Sequence, residues 1–319
     1  MHVFLLGATG VLGRAAIPQL LKAGHRVTGL ARTPEKLLLV DRLGGNAVRG
    51  DILDADTIRN LMVEHRPDAV VNLATAIPLR LKIDLKDWEQ NDKIRADGTR
   101  NLVRACEAAG VSMLVQESVG YVCASRGAGW IDEESPRSTH PFLKATVEME
   151  DVARSSGVPG TILRFGAVMS ADAWHTQQSV AALRRGMLPI IGHGDSYLSI
   201  IHTEDAAAAI VRALDRPETA SGKTYNVVDD APATMAEVFR YAASVLGASA
   251  PRTVPPFLAK MAVGSLTLDI LTASYRMSGA TIRADLDFAP RYPTYRETWT
   301  QIASLLKDRA IPASDSLQL

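Results

Sequence analysis

The chain has 319 residues, of which 47% are apolar and 22% are charged, and its 35 basic side chains balance 35 acidic ones. A chain of this length can bury about three quarters of its unfolded surface, which suffices for one large domain or two joined domains. The balanced charge creates no field that attracts nucleic acid, and no stretch of eighteen apolar residues lacks a charge. We therefore expect neither a nucleic-acid partner nor a membrane span.

The two cysteines, Cys106 and Cys123, have no metal-ligand spacing, so we expect free thiols in a reducing compartment and no metal site. The first apolar run begins at the second residue and lacks the basic segment that precedes a secretory signal. These features predict a cytoplasmic protein.

The first predicted unit is a strand, a glycine turn and a helix. His2 to Leu6 is an apolar run of strand type, Gly7, Gly10 and Gly13 follow at three-residue intervals, and Leu12 to Ala23 has helical spacing. Glycines let the backbone bend sharply and approach a pyrophosphate, which then faces the free N–H groups of the first helical turn. The spacing differs from the G-x-G-x-x-G fingerprint, and an ordinary tight turn is the alternative. The adjoining strand and helix favour a dinucleotide site.

The second predicted strand, His25 to Ala31, ends at Arg32. NAD sites carry an acidic residue at this place, whereas a basic residue suits the additional phosphate of NADP. The first acidic side chain beyond the strand is Glu35. Arg32 therefore favours NADP over NAD, and the alternative is a solvated arginine at a strand end.

The next units extend the same pattern. A helix from Pro34 to Leu43 precedes a strand over Asn46 to Ile52, and a helix over Asp54 to His65 precedes a strand over Asp68 to Ala74. Asp51 stands at the carboxyl edge, where ligands of open parallel sheets lie, so it either contacts the adenine side of the cofactor or caps the next helix. The predicted cofactor contacts in this half are Gly7, Thr9, Gly10, Val11, Leu12, Gly13, Arg32, Asp51, Ile52, Leu73, Ala74 and Thr75.

The alternation continues to residue 165. A long helix over Trp88 to Ala109 precedes a strand over Val111 to Gln116, and Ser118 follows that strand as either a chemically placed hydroxyl or a turn cap. A helix over Lys144 to Ser155 and a strand over Pro159 to Phe165 complete the series. Five alternations without a repeat predict an α/β fold with a right-handed, doubly wound parallel sheet.

The pattern loosens after residue 166. The expected elements are helices over 173–185, 203–216 and near 301–306, strands over 197–201 and 225–228, and a glycine-rich loop over 192–196. We expect a dinucleotide-binding domain over 1–165 with a returning strand near 223–228, a mainly substrate-binding domain over 166–309, and a frayed tail over 310–319.

Several separated stretches resemble the extended short-chain dehydrogenase/reductase family, the NAD(P)-dependent epimerase/dehydratase group. They keep the family's order and spacing over roughly residues 1 to 230 and again near the end of the chain. The matching stretches are GATGVLG (7–13), GDILD (50–54), NLATA (72–76), GTRNLVRACEAAGV (98–111), QESVGY (116–121), IDEESP (131–136), KATVE (144–148), LRFG (163–166), IIHTEDAA (200–207), YNV (225–227) and PRYPTYRE (290–297).

The resemblance implies a Rossmann domain, a smaller C-terminal domain over the substrate, and a catalytic Ser, Tyr and Lys in which Tyr and Lys stand four residues apart. Ser118 matches the serine, and Lys144 matches the lysine, which would also hold the nicotinamide ribose unless it is a plain helix-surface lysine. His140 occupies the place of the tyrosine, and Tyr121 matches the tyrosine that closes the serine-strand motif. The proton-transfer group is therefore His140, Tyr121 or neither of them.

The segment from Val168 to Tyr197 should line the substrate, with Tyr275 and Arg276 closing the far wall. Nucleotide-sugar members of the family need an anion pocket for a diphosphate, which Arg184, Arg185 and Arg276 could provide.

The leading hypothesis is an NADP-dependent oxidoreductase that acts on a carbonyl or alcohol of a small or medium organic substrate. The alternatives are a nucleotide-sugar epimerase or dehydratase that retains its cofactor, and a non-catalytic NADP-binding sensor. Arg164 and His202 are expected at the joint between the domains, and a homodimer is a further expectation.

Overall fold

The computed structural model describes residues 1–78 and 84–307, so the tail predicted over 310–319 lies outside the described residues. One central sheet organises the structure. Its seven strands are His2–Leu6, Arg26–Ala31, Asn46–Arg49, Ala69–Asn72, Met113–Val119, Gly160–Phe165 and Thr224–Val227.

The order of these strands confirms the doubly wound parallel sheet. From one edge to the other they stand as seventh, sixth, fifth, fourth, first, second and third in the chain, and all neighbouring pairs are parallel. The chain therefore reverses its direction of winding between the first strand and the fourth, where Leu6 pairs with Asn72. A crevice opens at such a reversal point, outside the carboxyl ends of the strands, and ligands bind there.

Helices cover both faces of the sheet, and the first strand contributes to both cores. Val3 and Leu5 pack on one face with the helices Val11–Lys22 and Thr203–Asp215, whereas Phe4 lies in the core of the opposite face. Successive strand residues point to opposite faces, and a sheet covered on both sides buries all of them. This explains why the opening run is continuously apolar.

The fourteen α-helices of the described residues flank the sheet or lie beyond it. They are Val11–Lys22, Pro34–Arg42, Ala55–His65, Leu85–Lys93, Thr99–Ala109, Lys144–Arg154, Trp174–Arg184, Thr203–Asp215, Pro217–Ala220, Met235–Val245, Pro256–Val263, Ser265–Thr272, Ala280–Leu286 and Tyr295–Leu306. None of the helices in this described part has both the length and the apolar character required to cross a bilayer.

Two predicted elements differ from the structure. The long helix predicted over 88–109 is two α-helices joined by a π-helical turn, Ile94–Gly98, in which Gly98 packs against Ile52. The strand predicted over 197–201 is divided into Tyr197–Leu198 and Ile200–His202, because these pair with different partners, Ala233–Thr234 and Ala167–Met169.

Residues after 166 build a smaller core of their own. Val180, Leu183, Val238, Trp299 and Ile302 are among its fully buried members. Three pairs of short strands lie in this region: Ala167–Met169 with Ile200–His202, Ile190–Ile191 with Thr253–Val254, and Tyr197–Leu198 with Ala233–Thr234. A fourth pair, Trp130–Ile131 with Arg276–Met277, belongs to a separate apolar cluster that contains Ile131 and Met277.

Candidate cofactor and substrate site

The glycine turn lies at the reversal point of the sheet. Gly7 has a left-handed backbone (φ +72°), and a Cβ there would overlap the Leu73 carbonyl of the neighbouring strand. A Cβ at Gly13 would overlap the backbone of Gly7 and Ala8, so this glycine lets the helix pack against the turn. Gly10 is the N-cap of the helix, and no side chain there accepts a hydrogen bond from the first turn. The backbone N–H groups of the first helical turn therefore have no side-chain acceptor at the N-cap, and such groups attract an anion.

A cleft of about 180 Å³ opens beside this turn and runs over the carboxyl ends of the first four strands. It brings together most of the predicted cofactor contacts with several residues that were not predicted. Its lining consists of Gly7, Thr9, Gly10, Leu30, Ala31, Arg32, Lys36, Gly50, Asp51, Ile52, Leu73, Ala74, Thr75 and Ile94. The free amides, the missing Cβ atoms and the cations fit a phosphorylated dinucleotide.

Two cations and one carboxylate stand at the far end of the cleft. Nη1 of Arg32 lies 3.4 Å from Oδ2 of Asp51, and both side chains are about half exposed. Oδ1 of Asp51 accepts a hydrogen bond from the Leu53 amide, whereas the next helix is capped by Asp54, which accepts from Thr57. Asp51 therefore lines the cleft beside Arg32 and does not cap that helix.

Lys36 is the charged residue that sequence reasoning missed. Lys36 lies in the first turn of the helix that begins at Pro34, four residues after Arg32. This nearness to Arg32 in the sequence was the signal that could have identified it. Four predicted contacts do not line the cleft: Val11 borders a separate groove, Leu12 packs against the core, Gly13 supports the turn, and Lys144 lies exposed at the start of a later helix.

The Ser118 side chain forms part of a buried hydrogen-bond network of charged residues. Its side chain has no exposed surface, and its hydroxyl donates to Oε1 of Glu150 at 2.7 Å. Glu150 also accepts two hydrogen bonds from Arg164 (2.9 and 2.8 Å) and one from Arg154 (2.9 Å). Burial opposes ionisation of Glu150, but the hydrogen bonds and charge of Arg164 hold its pKa below the usual value. In this arrangement a substrate could not reach the Ser118 hydroxyl.

Lys144 is the first residue of the helix Lys144–Arg154, and His140 lies just before the short turn that leads into this helix. Lys144 is exposed and forms no ion pair or hydrogen bond with any residue in the described ranges. His140 is half-buried and caps the short turn Pro141–Leu143, where its Nδ1 accepts from the Phe142 amide at 3.4 Å. A neutral imidazole that accepts at Nδ1 carries its proton on Nε2.

Tyr121 lies directly beyond the strand that bears Ser118. Its ring centroid is 4.9 Å from that of Tyr275, and burial, with a smaller effect of Tyr275, raises the phenol pKa well above its usual value. No hydrogen bond joins Tyr121 to Lys144 in the described structure, so the ammonium does not offset the effect of burial. The strand Arg276–Met277 packs here because Gly120 leaves room for Met277.

Arg164 and His202 have structural partners. Arg164 is buried, and in addition to Glu150 it donates to the Glu133 carbonyl at 3.0 Å. His202 is buried, and its Nδ1 accepts from the amide at the start of the helix Thr203–Asp215. Burial lowers the His202 pKa, which favours the neutral ring that this cap requires.

Two of the three arginines proposed for a diphosphate pocket, Arg184 and Arg276, share no partner among the described residues. Arg184 donates to the Leu306 carbonyl at 2.9 Å, at the end of the last helix, whereas Arg276 stacks on Trp130 and Tyr197.

Comparisons with known proteins agree with this geometry. Residues 3–227 match the family described as "NAD dependent epimerase/dehydratase family". The chain is 31% identical over 306 residues to the 3-diazoavenalumate denitrifying reductase of a Streptomyces species, covering 93% of this chain and 98% of that protein. It is 27% identical over 298 residues to the 2-alkyl-3-oxoalkanoate reductase of Shewanella oneidensis, covering 86% and 73%.

Solved structures show the same fold. The human epimerase family protein SDR39U1 with NADPH superposes with a TM-score of 0.82 at 22% identity, covering 95% of this chain and 99% of that one. The UDP-glucose 4-epimerase of Thermus thermophilus with NAD has a TM-score of 0.75 at 21% identity, covering 95% and 99%.

The sheet and its glycine-lined cleft thus define a Rossmann-type, nicotinamide-dinucleotide-binding protein. The chain belongs to the NAD-dependent epimerase/dehydratase family of extended short-chain dehydrogenases/reductases. Its named relatives include reductases, which supports an oxidoreductase in the broad sense.

Proposed function

We propose that the chain is an NADP-dependent oxidoreductase that reduces a carbonyl, or oxidises the matching alcohol, of a small or medium organic substrate. The observation that carries the proposal is the pair of cations, Arg32 and Lys36, at one end of the glycine-lined cleft. The two relatives named reductases support the reaction class.

The choice of NADP rests on charge at that end of the cleft. Two cations against the single carboxylate of Asp51 leave a positive excess that suits a phosphate dianion, which NADP carries and NAD lacks. Asp51 also restrains the Arg32 guanidinium, so less side-chain freedom is lost when a phosphate binds.

Bound in this cleft, NADPH would supply the hydride. Among the chain's own residues, we assign to His140 a hydrogen bond from its free Nε2–H to the substrate oxygen, and the proton that completes the reduction comes from water, because the neutral ring does not give up that hydrogen near neutral pH. Lys144 follows His140 by four residues. It is exposed and unpaired within the described residues, and it would hold the ribose hydroxyls of the cofactor. Tyr121 is the weaker candidate, because its raised pKa opposes proton release. We give Ser118 no direct role in the reaction, because its buried hydroxyl donates to Glu150.

Both relatives have names that denote carboxylate anions, an oxoalkanoate and a diazoavenalumate. We therefore propose that the substrate of this chain also carries a carboxylate. The name of the first relative motivates a second class of acceptor, an aryl diazo compound. Reduction of such a group need not draw a proton from the protein, which suits a site without the family's tyrosine.

The test measures NADPH consumption with a panel of carbonyl acids and an aryl diazonium salt, for the wild type and for His140→Ala and Tyr121→Phe. Stoichiometric consumption that falls in His140→Ala but not in Tyr121→Phe supports the proposal. Turnover of UDP- or TDP-sugars with a retained cofactor would instead identify an epimerase. Cofactor binding without any turnover, unaltered in both variants, would identify a sensor.

A further inference from the structure

Arg276 is a cation whose orientation is fixed by two aromatic rings. Its guanidinium carbon lies 4.3 Å from the ring centroid of Trp130 and 4.8 Å from that of Tyr197. Nη1 also donates to the Ala128 carbonyl at 3.2 Å. Stacking on both rings limits the rotation of the planar guanidinium, so its remaining N–H groups point in defined directions.

The charge of Arg276 has no acidic partner. No carboxylate oxygen of the described residues lies within 4.0 Å of the guanidinium, and Nε is buried without a hydrogen bond. Nη2 likewise forms no hydrogen bond inside the described ranges. A partly buried arginine normally pairs its charge. Nη2, together with the second hydrogen of Nη1, forms the edge of the guanidinium that a planar anion from outside the chain would contact.

Three segments converge on Arg276. Trp130 pairs with it in the short parallel strands, Tyr197 follows the glycine-rich loop over 192–196, and the preceding residue, Tyr275, packs on Tyr121 at the end of a central strand. Trp130 is 49% exposed, so a planar group bound at the arginine would have an open aromatic face beside it. The cation therefore belongs to the half of the molecule expected to receive the substrate.

We propose that Arg276 binds the carboxylate of the organic-acid substrate through its Nη edge, with Trp130 and Tyr197 holding the guanidinium in plane. This inference rests on the proposed function, since it names the group that distinguishes acid substrates from neutral ones. It makes Arg276 a specificity-determining residue.

The test compares 4-formylbenzoate with its methyl ester, which keeps the aldehyde and removes the charge. In Arg276→Gln, kcat/KM for the acid should fall about 10- to 100-fold, mainly through KM, because a charged hydrogen-bonded pair is lost. The value for the ester and the affinity for NADPH should stay unchanged. Arg276→Lys should recover only part of the loss, since a point charge cannot form the two-pronged contact.

Arg296→Gln is the matched control, because Arg296 also stacks on two rings, Tyr241 and Tyr295, at 5.0 Å each. It should leave both substrates unaffected. Equal losses for acid and ester in Arg276→Gln, or no loss for the acid, would overturn the inference.

If the wild type turns over neither aldehyde, the proposed reaction fails, and binding of benzoate to the NADPH-loaded protein decides the inference separately. Calorimetry should then show benzoate binding that is lost in Arg276→Gln and kept in Arg296→Gln. Absence of benzoate binding by the wild type, or equal binding by Arg276→Gln, would refute the assignment of Arg276.

Discussion

Asp229 is a buried carboxyl group that makes stability depend on pH. Its side chain is 2% exposed, Oδ2 has no hydrogen-bond partner, and burial raises its pKa from 3.8 to about 8. The folded state therefore holds a proton that the unfolded chain releases above pH 4. The stability contributed by this group is present below about pH 4 and is lost as the pH rises toward 8.

We expect Asp229→Asn, which retains the Oδ1 acceptor for the Ala231 amide, to remove this dependence. Melting temperatures measured from pH 5 to 9 should fall more steeply for the wild type than for the variant, and the difference should stop growing above about pH 8. Parallel curves would show that Asp229 is ionised in the folded protein.

Arg32 provides a residue-scale test of cofactor choice. We expect Arg32→Gln to weaken NADPH binding by about 10- to 100-fold and NADH binding by less than about 3-fold, because only NADPH brings the extra phosphate. Fluorescence titration of both coenzymes measures the two dissociation constants. Lys36→Gln should produce a smaller loss of the same kind, and equal losses for both coenzymes would remove these cations from the phosphate site.

The sequence predicted which residues line the cleft better than it predicted the surroundings of Ser118. Gly7 and Arg32 lie in the cleft as expected, because their positions follow from the local chain, a turn beside a strand and a strand end. Ser118 was expected directly after the fifth strand and lies within it, and its partner, Glu150, is 32 residues away. A sequence pattern cannot show which buried groups such a distant helix brings together.

At the scale of elements, Glu150 connects a central strand to the sheet-facing side of the helix Lys144–Arg154. Glu150→Gln would leave the buried Arg164 guanidinium without its counter-charge, and breaking such a pair costs about 3–5 kcal/mol. Ser118→Ala removes one hydrogen bond to a carboxylate that keeps its arginines, and we expect a loss of about 1–2 kcal/mol. Urea unfolding of both variants measures the two values. A loss below about 1 kcal/mol for Glu150→Gln would contradict the network.

Most strands and helices of the sheet region were predictable because apolar periodicity and glycines mark their limits. The π-turn Ile94–Gly98 was not, since its sequence continues the helical pattern on both sides. At this turn the helix contacts residues that are distant in the sequence. Gly98 packs against Ile52, and Ile94 lines the cleft beside the glycine turn. π-Turns often occur where a helix meets a functional site.

At the scale of the whole molecule, Arg14 connects the glycine turn of the first strand to Asp172, in the part of the chain after residue 166. Arg14, directly after Gly13, donates to the Thr9 carbonyl at 2.9 Å and to Asp172 at 2.6 Å. Burial opposes ionisation of Asp172, but the hydrogen bonds from Ser170 and Arg14 hold its pKa below the usual value. The turn that faces the cofactor is thus tied to the segment after the Ala167–Met169 strand.

Because the cleft is formed only when the sheet is folded, coenzyme binding should stabilise the entire chain. At a free NADPH concentration of 100 times the dissociation constant, the free energy of unfolding should rise by about 2.7 kcal/mol. With an unfolding entropy of about 2.1 cal/mol/K per residue, this corresponds to a rise in Tm of about 4 °C. NADH at the same concentration should give a smaller rise, and Arg32→Gln should reduce the difference between the two coenzymes. Calorimetric scans of the folded protein that show no shift with either coenzyme, together with no heat of binding, would refute the cofactor site on which the proposed reaction depends.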